Sequence, residues 1–475
     1  MICYNQRWPT SNNIMMDFFN TELTADSILI ECVTQKEYEK LHSQSDSYKG
    51  RWLNSTDHNI STGQHQLIPN SEGKLDSILF VVDEHTSMWD IAHLSHTLPT
   101  GNYHLSEQLD DDTQAKLALG WGLGAYQYTR YKKAQDRAQL YLSPNLNTER
   151  IHADIETTFL TRELINAPAN EMLPSDLAAA TEKLANQYHA DFEQICGQAL
   201  IEENYPLIHA VGRASTDQPR YLKLRWGNPK HPRLALIGKG VCFDSGGLDI
   251  KPSSGMRWMK KDMGGAAHAL GCARYIMMMN LPVYLELAIP AVENAIAGNA
   301  FRPGDVIISR SGKSVEIDNT DAEGRLVMAD AISDLCSNQP DCLIDFSTLT
   351  GAARVALGTE VGVYFTNNDE LAEQLQTAAE DTEDDIWRLP IHQGYKHMLK
   401  SSIADLVNCT ASGYGGAITA ALFLQEFLSE DCDWLHFDIM AYNMRTRPGR
   451  PKGGEAMGLR AVCELLERKY RNNAS

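Results

Sequence analysis

Hydrophobic and polar positions alternate along this chain in two registers. Ser27–Val33 and Ser77–Val82 are short apolar runs rich in β-branched residues and predict strands, with Leu140–Leu142 a third short one. Thr113–Lys132 carries the spacing of a helix, with Asp110-Asp111-Asp112 as its N-terminal cap and solvated face. Between them Ser43–Gly73 is polar, rich in Ser, Asn and Gly, and predicts mostly loop. Glu149–Ile165 is again helical in pattern and stops at Asn166-Ala167-Pro168-Ala169-Asn170. After a helix over Pro174–Gln187, strands and helices interleave to the end. The strands are Arg220–Trp226, Arg233–Cys242, Val283–Pro290, Val306–Ile308, Leu343–Phe346, Val361–Phe365 and Trp434–Ile439. The helices are Gly264–Met279, Gly324–Ser337, Gly351–Leu357, Gly416–Phe427 and Gly454–Lys469. This predicts an α/β protein of two domains. A smaller N-terminal α/β domain covers 1–150, and a larger domain covers 151–475, its mostly parallel or mixed sheet sandwiched by helices. The linker is the helix at about 149–166.

Length agrees, since 475 residues exceed what one core usually supports. Charge narrows the partners: 42 basic against 62 acidic residues leave −20, which disfavours nucleic acid and anionic membranes. No run of about 18 apolar residues predicts a membrane-spanning helix, and Met1–Asn13 lacks the pattern of a signal peptide. The ten cysteines are scattered without a C-x-x-C pair, which fits small buried hydrophobes in a reducing cytoplasm.

Groups able to do chemistry collect in two stretches of the second half. In the first, Lys239 comes near the end of an apolar strand, a costly place for an ammonium. Asp244 precedes the Ser245-Gly246-Gly247 turn, Lys251 follows, and Lys260-Lys261-Asp262 leads into an apolar helix. In the second, Val315 and Ile317 alternate as a strand, Arg325–Cys336 reads as a helix, and Asn319–Leu326 sets Asp321, Glu323 and Arg325 at the turn between them. Taken singly, Asp262 and Asp321 read equally well as helix caps. Taken together, Asp244, Asp262, Asp321 and Glu323 fall at strand ends or helix starts along one edge of a sheet, where ligand sites form. Divalent cations would remove their mutual repulsion, and four carboxylates suffice for two ions about 3.5–4 Å apart. Lys239 fits as a neutral-amine ligand, which leaves Lys251 and Arg325 as the free cations of the site. His93 and His96 share a possible metal spacing without a third ligand nearby and read as surface residues.

Gly238-Lys239-Gly240, Phe243–Gly247, Ile250-Lys251-Pro252, Lys261–Ala266 and Asn319–Leu326 together resemble the leucyl aminopeptidases of the cytosol aminopeptidase family (M17). The octapeptide Asn319–Leu326 is that family's signature, here without a substitution. Thr161–Pro168, Thr348–Ala352 and Gly415–Ala420 extend the likeness over roughly 155–470, whereas 1–150 carries no matching motif. The resemblance implies one metal site from Lys239, Asp244, Asp262 and Glu323. It implies a second from Asp244, Asp321 and Glu323, with an Asp321 backbone oxygen; Asp244 and Glu323 bridge. On the same resemblance the ions would be Zn²⁺ or Mn²⁺, with Mg²⁺ or Co²⁺ admissible in one site, and a water between them would supply hydroxide. Lys251 would polarise the substrate carbonyl, and Arg325 would hold a bicarbonate that moves protons. Substrates would be peptides with a free N-terminus, and the assembly a homohexamer. The pocket for the first side chain would be lined by Met259, Thr348, Leu349, Gly351, Met440 and Asn443. Met440 stands where typical enzymes carry a small residue and Asn443 where they carry an apolar one, so broad activity on neutral residues is expected rather than strict leucine preference.

Other readings fail on spacing. Ser311–Ser314 imitates the end of a P-loop, but Ile307 stands where its first glycine belongs. No Gly-x-Ser-x-Gly surrounds Ser245, and no His-Glu-x-x-His occurs. A two-metal phosphoesterase remains chemically open, as does an accessory DNA-binding role, which some family members have and which −20 disfavours.

Overall fold

The structure is a computed structural model that describes residues 17–44, 46–56, 59–83 and 85–471. Met1–Asn13 lies outside the described residues. The chain divides into two units, one of residues 17–159 with 445–451, the other of 160–444 with 452–471. The divide falls within the helix Thr148–Asn166.

The first unit is built on a six-stranded sheet in the order Phe19–Asn20, Gln139–Tyr141, Asn102–Leu105, Ile28–Thr34, Leu75–Val82, His65–Pro69. All neighbours are parallel except the last pair. Three sequence expectations are corrected here. Ser43–Gly73 holds a helix, Tyr48–Thr56, and the strand His65–Pro69, because Leu53 and Ile68 are drawn into the core against their polar surroundings. The helix expected over Thr113–Lys132 is Asp111–Gly124. Asp110 caps it, accepting from Thr113 N at 2.8 Å. Its glycine-rich last turn lies so close to the Met88–Ala92 segment that a Cβ on Gly124 would meet Ala92 O at 1.8 Å, and weak helix formers end it there. His93, expected at the surface, is half-buried with its Nε2 3.3 Å from His65 Nδ1; His96 is exposed. Arg450 lays its guanidinium 4.0 Å over the Trp89 ring.

The second unit carries a mixed nine-stranded sheet. Across it run Ile386–Arg388, Gly362–Thr366, Asp433–Asp438, Cys342–Ser347, Arg233–Gly238, Tyr284–Asn294, Arg220–Gly227 and Asp191–Cys196, with Gly240–Asp244 on the far end of Tyr284–Asn294. The strands ending at Gly238, Asp244, Asn294, Ser347 and Asp438 are mutually parallel, so their carboxyl ends share one edge. They are apolar and buried almost without alternation, as strands covered on both faces must be. The helices Gly264–Met278 and Glu323–Cys336 pack on this sheet, each buried along nearly its whole length.

Three further expectations change. Arg233–Cys242 is not one strand: it breaks at Lys239, whose N–H bonds to Phe346 O at 2.9 Å while its carbonyl leaves the sheet to accept from Ala266 N at 2.8 Å. The last helix begins at Leu459, not Gly454, because Gly453–Gly454 pairs as a strand with Tyr442–Asn443. The helix Asp369–Asp381 was not expected; it buries Leu371, Leu375 and Ala378 behind an acidic outer face. Among the described residues no helix is long and apolar enough to cross a membrane.

Candidate metal centre

Close packing fixes the site's backbone before any polar group acts. A Cβ on Gly265 would stand 2.1 Å from Phe346 O, and one on Gly238 2.5 Å from Ala266 Cα. Only glycine lets the helix Gly264–Met278 lie this near the sheet. Gly324 serves differently: a Cβ there would sit 2.5 Å from Lys239 Cε, so the glycine of the Asn319–Leu326 octapeptide makes room for the lysine. Gly246 and Gly247 take left-handed φ of +89° and +63°, turning the chain sharply after Asp244.

The two stretches converge. Asp244 ends its strand, Asp262 lies on the 3₁₀ turn Met259–Met263, and Glu323 opens the helix Glu323–Cys336. One carboxylate oxygen from each of these three lies within 4.8 Å of the others, and all three residues are buried. Lys239 Nζ sits 2.6 Å from Asp262 Oδ2 and 2.9 Å from Glu323 Oε1. Lys251 Nζ is 2.7 Å from Asp244 Oδ2 and also contacts Asp321 Oδ1. Lys251 is therefore not a free cation, as expected from the sequence, but is paired with two carboxylates. Neither acid is a helix cap: Ala322 and Met263 occupy the cap positions, and Asp321 and Asp262 are turned toward the lysines.

Four carboxyls face two ammoniums here. Burial and then Asp244 push Glu323 up to about 8 and Asp321 up to about 6, so protons take up part of the surplus negative charge. Burial opposes the charge on Lys239, but Asp262 and Glu323 overcome it and hold the ammonium above its usual range. Burial likewise opposes the charge on Lys251, yet Asp244 and Glu323 hold it up. Asp262, resisted by burial, is drawn below its usual range chiefly by Lys239. Asp262 Oδ2, Glu323 Oε1 and Asp321 Oδ1 are buried oxygens whose lysine contacts lack hydrogen-bond geometry. Inward-facing carboxylate oxygens of this kind, beside an amine, are a donor set that fits hard divalent cations.

Other predicted residues are placed around this cluster. Thr348 Oγ1 donates to Asp262 Oδ1 at 2.7 Å. Leu349 packs at Gly324, and its N–H, with that of Thr350, donates to Asp438 Oδ1 at 2.9 and 3.0 Å, fixing the turn that ends at Gly351. Met259 is buried on the turn that bears Asp262. Met440 is buried, and Asn443 turns its amide to Glu455 Oε2 at 2.5 Å, in a buried pair with Arg162, rather than to an open pocket rim. Arg325 is buried and bonded through Nη1 to Asn408 O at 2.6 Å, its Nε without a hydrogen-bond partner; burial lowers its pKa. It too is not free.

Sequence reasoning missed several groups. Lys261 is buried beside Asp262 with no hydrogen bond from Nζ, and burial and Arg354 bring it down to about 7; within the charged run Lys260-Lys261-Asp262 nothing in the sequence set it apart. Asn294 Nδ2 ties the two halves, reaching Asp244 Oδ1 at 2.9 Å and Thr320 O at 3.0 Å. Thr320 Oγ1 donates to Gly246 O at 2.6 Å, and its N–H donates to Asp249 Oδ2 at 2.7 Å. Behind the sheet edge, Asp345 accepts from Trp434 Nε1 and His436 Nδ1 at 2.8 and 2.7 Å.

Fold and site together define an α/β protein with a buried carboxylate–lysine centre at the carboxyl ends of parallel strands. The chain belongs to the cytosol aminopeptidase family: the family's catalytic-domain model matches residues 159–463, and the model of the M17 aminopeptidase N-terminal domain matches 28–143. A "Probable cytosol aminopeptidase" of Chlamydia trachomatis serovar A is 43% identical over 320 residues, covering 66% of this chain and 64% of that protein. The chain thus aligns with just under two thirds of that relative's length. A crystal structure of a cytosol aminopeptidase from Coxiella burnetii is 46% identical, with a TM-score of 0.92, covering 96% of this chain and 100% of its own. The bottromycin maturation enzyme BotP, in complex with Mn, is 30% identical with a TM-score of 0.83, covering 94% of this chain and 100% of its own.

Proposed function

We propose that this protein is a metal-dependent aminopeptidase that removes neutral N-terminal residues, leucine among them, from peptides with a free amino end. The observation that carries the reading is the meeting of Asp244, Asp262 and Glu323 oxygens within 4.8 Å, with Lys239 Nζ beside Asp262 and Glu323. The Mn complex of BotP and the family membership support it. Asp244, Asp262, Asp321, Glu323 and Lys239 would hold two divalent ions, Zn²⁺ or Mn²⁺, which when bound supply Lewis acidity and an acidified water.

The chain's own groups do the rest. Lys251, already at the mouth of the cluster, places an ammonium where negative charge would develop on the scissile carbonyl. Arg325, at the start of the same helix as Glu323, offers a guanidinium for a small anion such as bicarbonate. Thr348 keeps Asp262 oriented, and the Asp438-held turn Thr348–Gly351 presents backbone beside Met259 to the first substrate residue. The homohexamer is part of the same proposal and would sediment near six times 53.0 kDa.

Purified protein with Mn²⁺ should release the amine from leucyl anilide and spare its N-acetylated form, and a panel of aminoacyl anilides should show several neutral residues accepted. Glu323→Ala should lose metal and activity together. Hydrolysis of nitrophenyl phosphate with no anilide cleavage would replace this reading by a phosphoesterase.

A further inference from the structure

Asp321, Glu323 and Arg325 come from one stretch of chain; Asn294 and Asp249 hold it at Thr320, and one further side chain takes four of its backbone groups. Asn408 follows the strand Leu406–Val407, which pairs with Ser314–Glu316, and its N–H continues the ladder to Glu316 O at 2.9 Å. Its side chain is 0% exposed. Oδ1 accepts from Asp318 N at 2.8 Å and Asn319 N at 3.2 Å. Nδ2 donates to Asn319 O at 2.7 Å and Ala322 O at 3.3 Å. The backbone carbonyl accepts Arg325 Nη1 at 2.6 Å.

Both amide hydrogens and both oxygen lone pairs are therefore used, and all four side-chain bonds end within residues 318–322. None of these four bonds serves the sheet. The amide is in effect the inner wall of the turn from which Asp321 and Glu323 project. The turn's own bond, Asp321 N to Asn319 Oδ1 at 2.7 Å, closes its outer side. Removing the Asn408 amide would take their partner from two N–H and two C=O groups of a part-buried turn, and each such loss is costly. With that partner gone the turn is free to shift, and a shift of the turn moves the two carboxylates with it.

We propose that Asn408 is a positioning residue that sets where Asp321 and Glu323 present their oxygens and, through its carbonyl, where Arg325 points. The inference rests on reading the cluster as a metal centre. It is tested by Mn²⁺ binding to chelator-stripped protein, measured by calorimetry alongside the melting temperature of the stripped protein. Asn408→Ala should weaken Mn²⁺ binding by about 10- to 100-fold, the usual effect of removing a group that orients metal ligands. Asn368→Ala is the control: that side chain caps Asp369–Asp381 and bonds Asp433, away from the centre, so it should lower the melting temperature and leave Mn²⁺ affinity unchanged.

Wild-type affinity in Asn408→Ala overturns the proposal, as does an equal loss of affinity in both variants. Should the alanine variant not fold, Asn408→Ser must still bind Mn²⁺ more weakly than the wild-type chain, and equal binding overturns the proposal as well. A wild-type chain that binds Mn²⁺ but cleaves no anilide would remove the peptidase reading and leave this inference intact.

Discussion

Lys251 meets Asp244 and Asp321 at once, while Lys239 meets Asp262 and Glu323. The two lysines differ in depth: Lys239 is 2% exposed, and the Lys251 side chain keeps 14% of its surface open. The deeper one suits a ligand and the shallower one suits contact with substrate. Lys251→Met should accordingly lower kcat on leucyl anilide by roughly 10²–10³-fold, the range for losing one preorganised stabiliser of developing charge, while two equivalents of Mn²⁺ still bind by calorimetry. At this scale much was legible. An ammonium at the end of an apolar strand is costly, and the acids, each readable singly as a cap or turn former, pointed to a site only in combination along one sheet edge; together they marked Lys239, Asp244, Asp262, Asp321 and Glu323. Asn294 and Asn408 were not legible, because an asparagine near a strand end looks alike in sequence whether it faces water or a buried turn. Gly324 belonged to a recognisable motif, yet its reason, space for Lys239, exists only across the fold.

At the scale of elements, the site is a docking problem between the helix Gly264–Met278 and the strands Arg233–Gly238 and Cys342–Ser347. Gly265→Ala forces a methyl to within 2.1 Å of Phe346 O, and backbone cannot step aside as a flexible side chain would. The variant should lose at least the ~1–3 kcal/mol typical of overpacking, seen as a lower urea midpoint, and should bind Mn²⁺ poorly even where folded. The parallel strands of this unit were readable because burial on both faces writes continuous apolar runs. The errors lie where tertiary contact overrode local preference. Leu53 and Ile68 made structure in a polar stretch, glycines ended Asp111–Gly124 early, and Gly453–Gly454 paired as a strand where a helix was expected.

For the whole molecule, the buried carboxyls make stability depend on pH. Glu323 rises from 4.5 to about 8 and Asp321 from 3.8 to about 6, so the folded, metal-free protein keeps protons that the unfolded chain releases. Its stability therefore falls as pH rises through that window, because the native state binds the more protons. The ammoniums of Lys239 and Lys251, also held above their usual range, stay charged throughout that window and keep their contribution. The melting temperature of stripped protein should drop between about pH 4 and about pH 7, above which Lys261, brought down to about 7 by burial, opposes the trend. Saturating Mn²⁺ should reverse the trend, since cations displace those same protons and bind more tightly as pH rises. A flat profile in both states would contradict the charge balance described for the cluster.

Lys239 sits at the break in the central strand, with its N–H on Phe346 and its carbonyl on Ala266. The residue that reaches deepest into the cluster is thus stitched by its backbone to a neighbouring strand and to the helix packed against it. Those amides lie among fully buried strands and helix, so their hydrogens should exchange with solvent only through global unfolding. On warming, the Lys239 side of the cluster should therefore hold its place until the sheet itself opens.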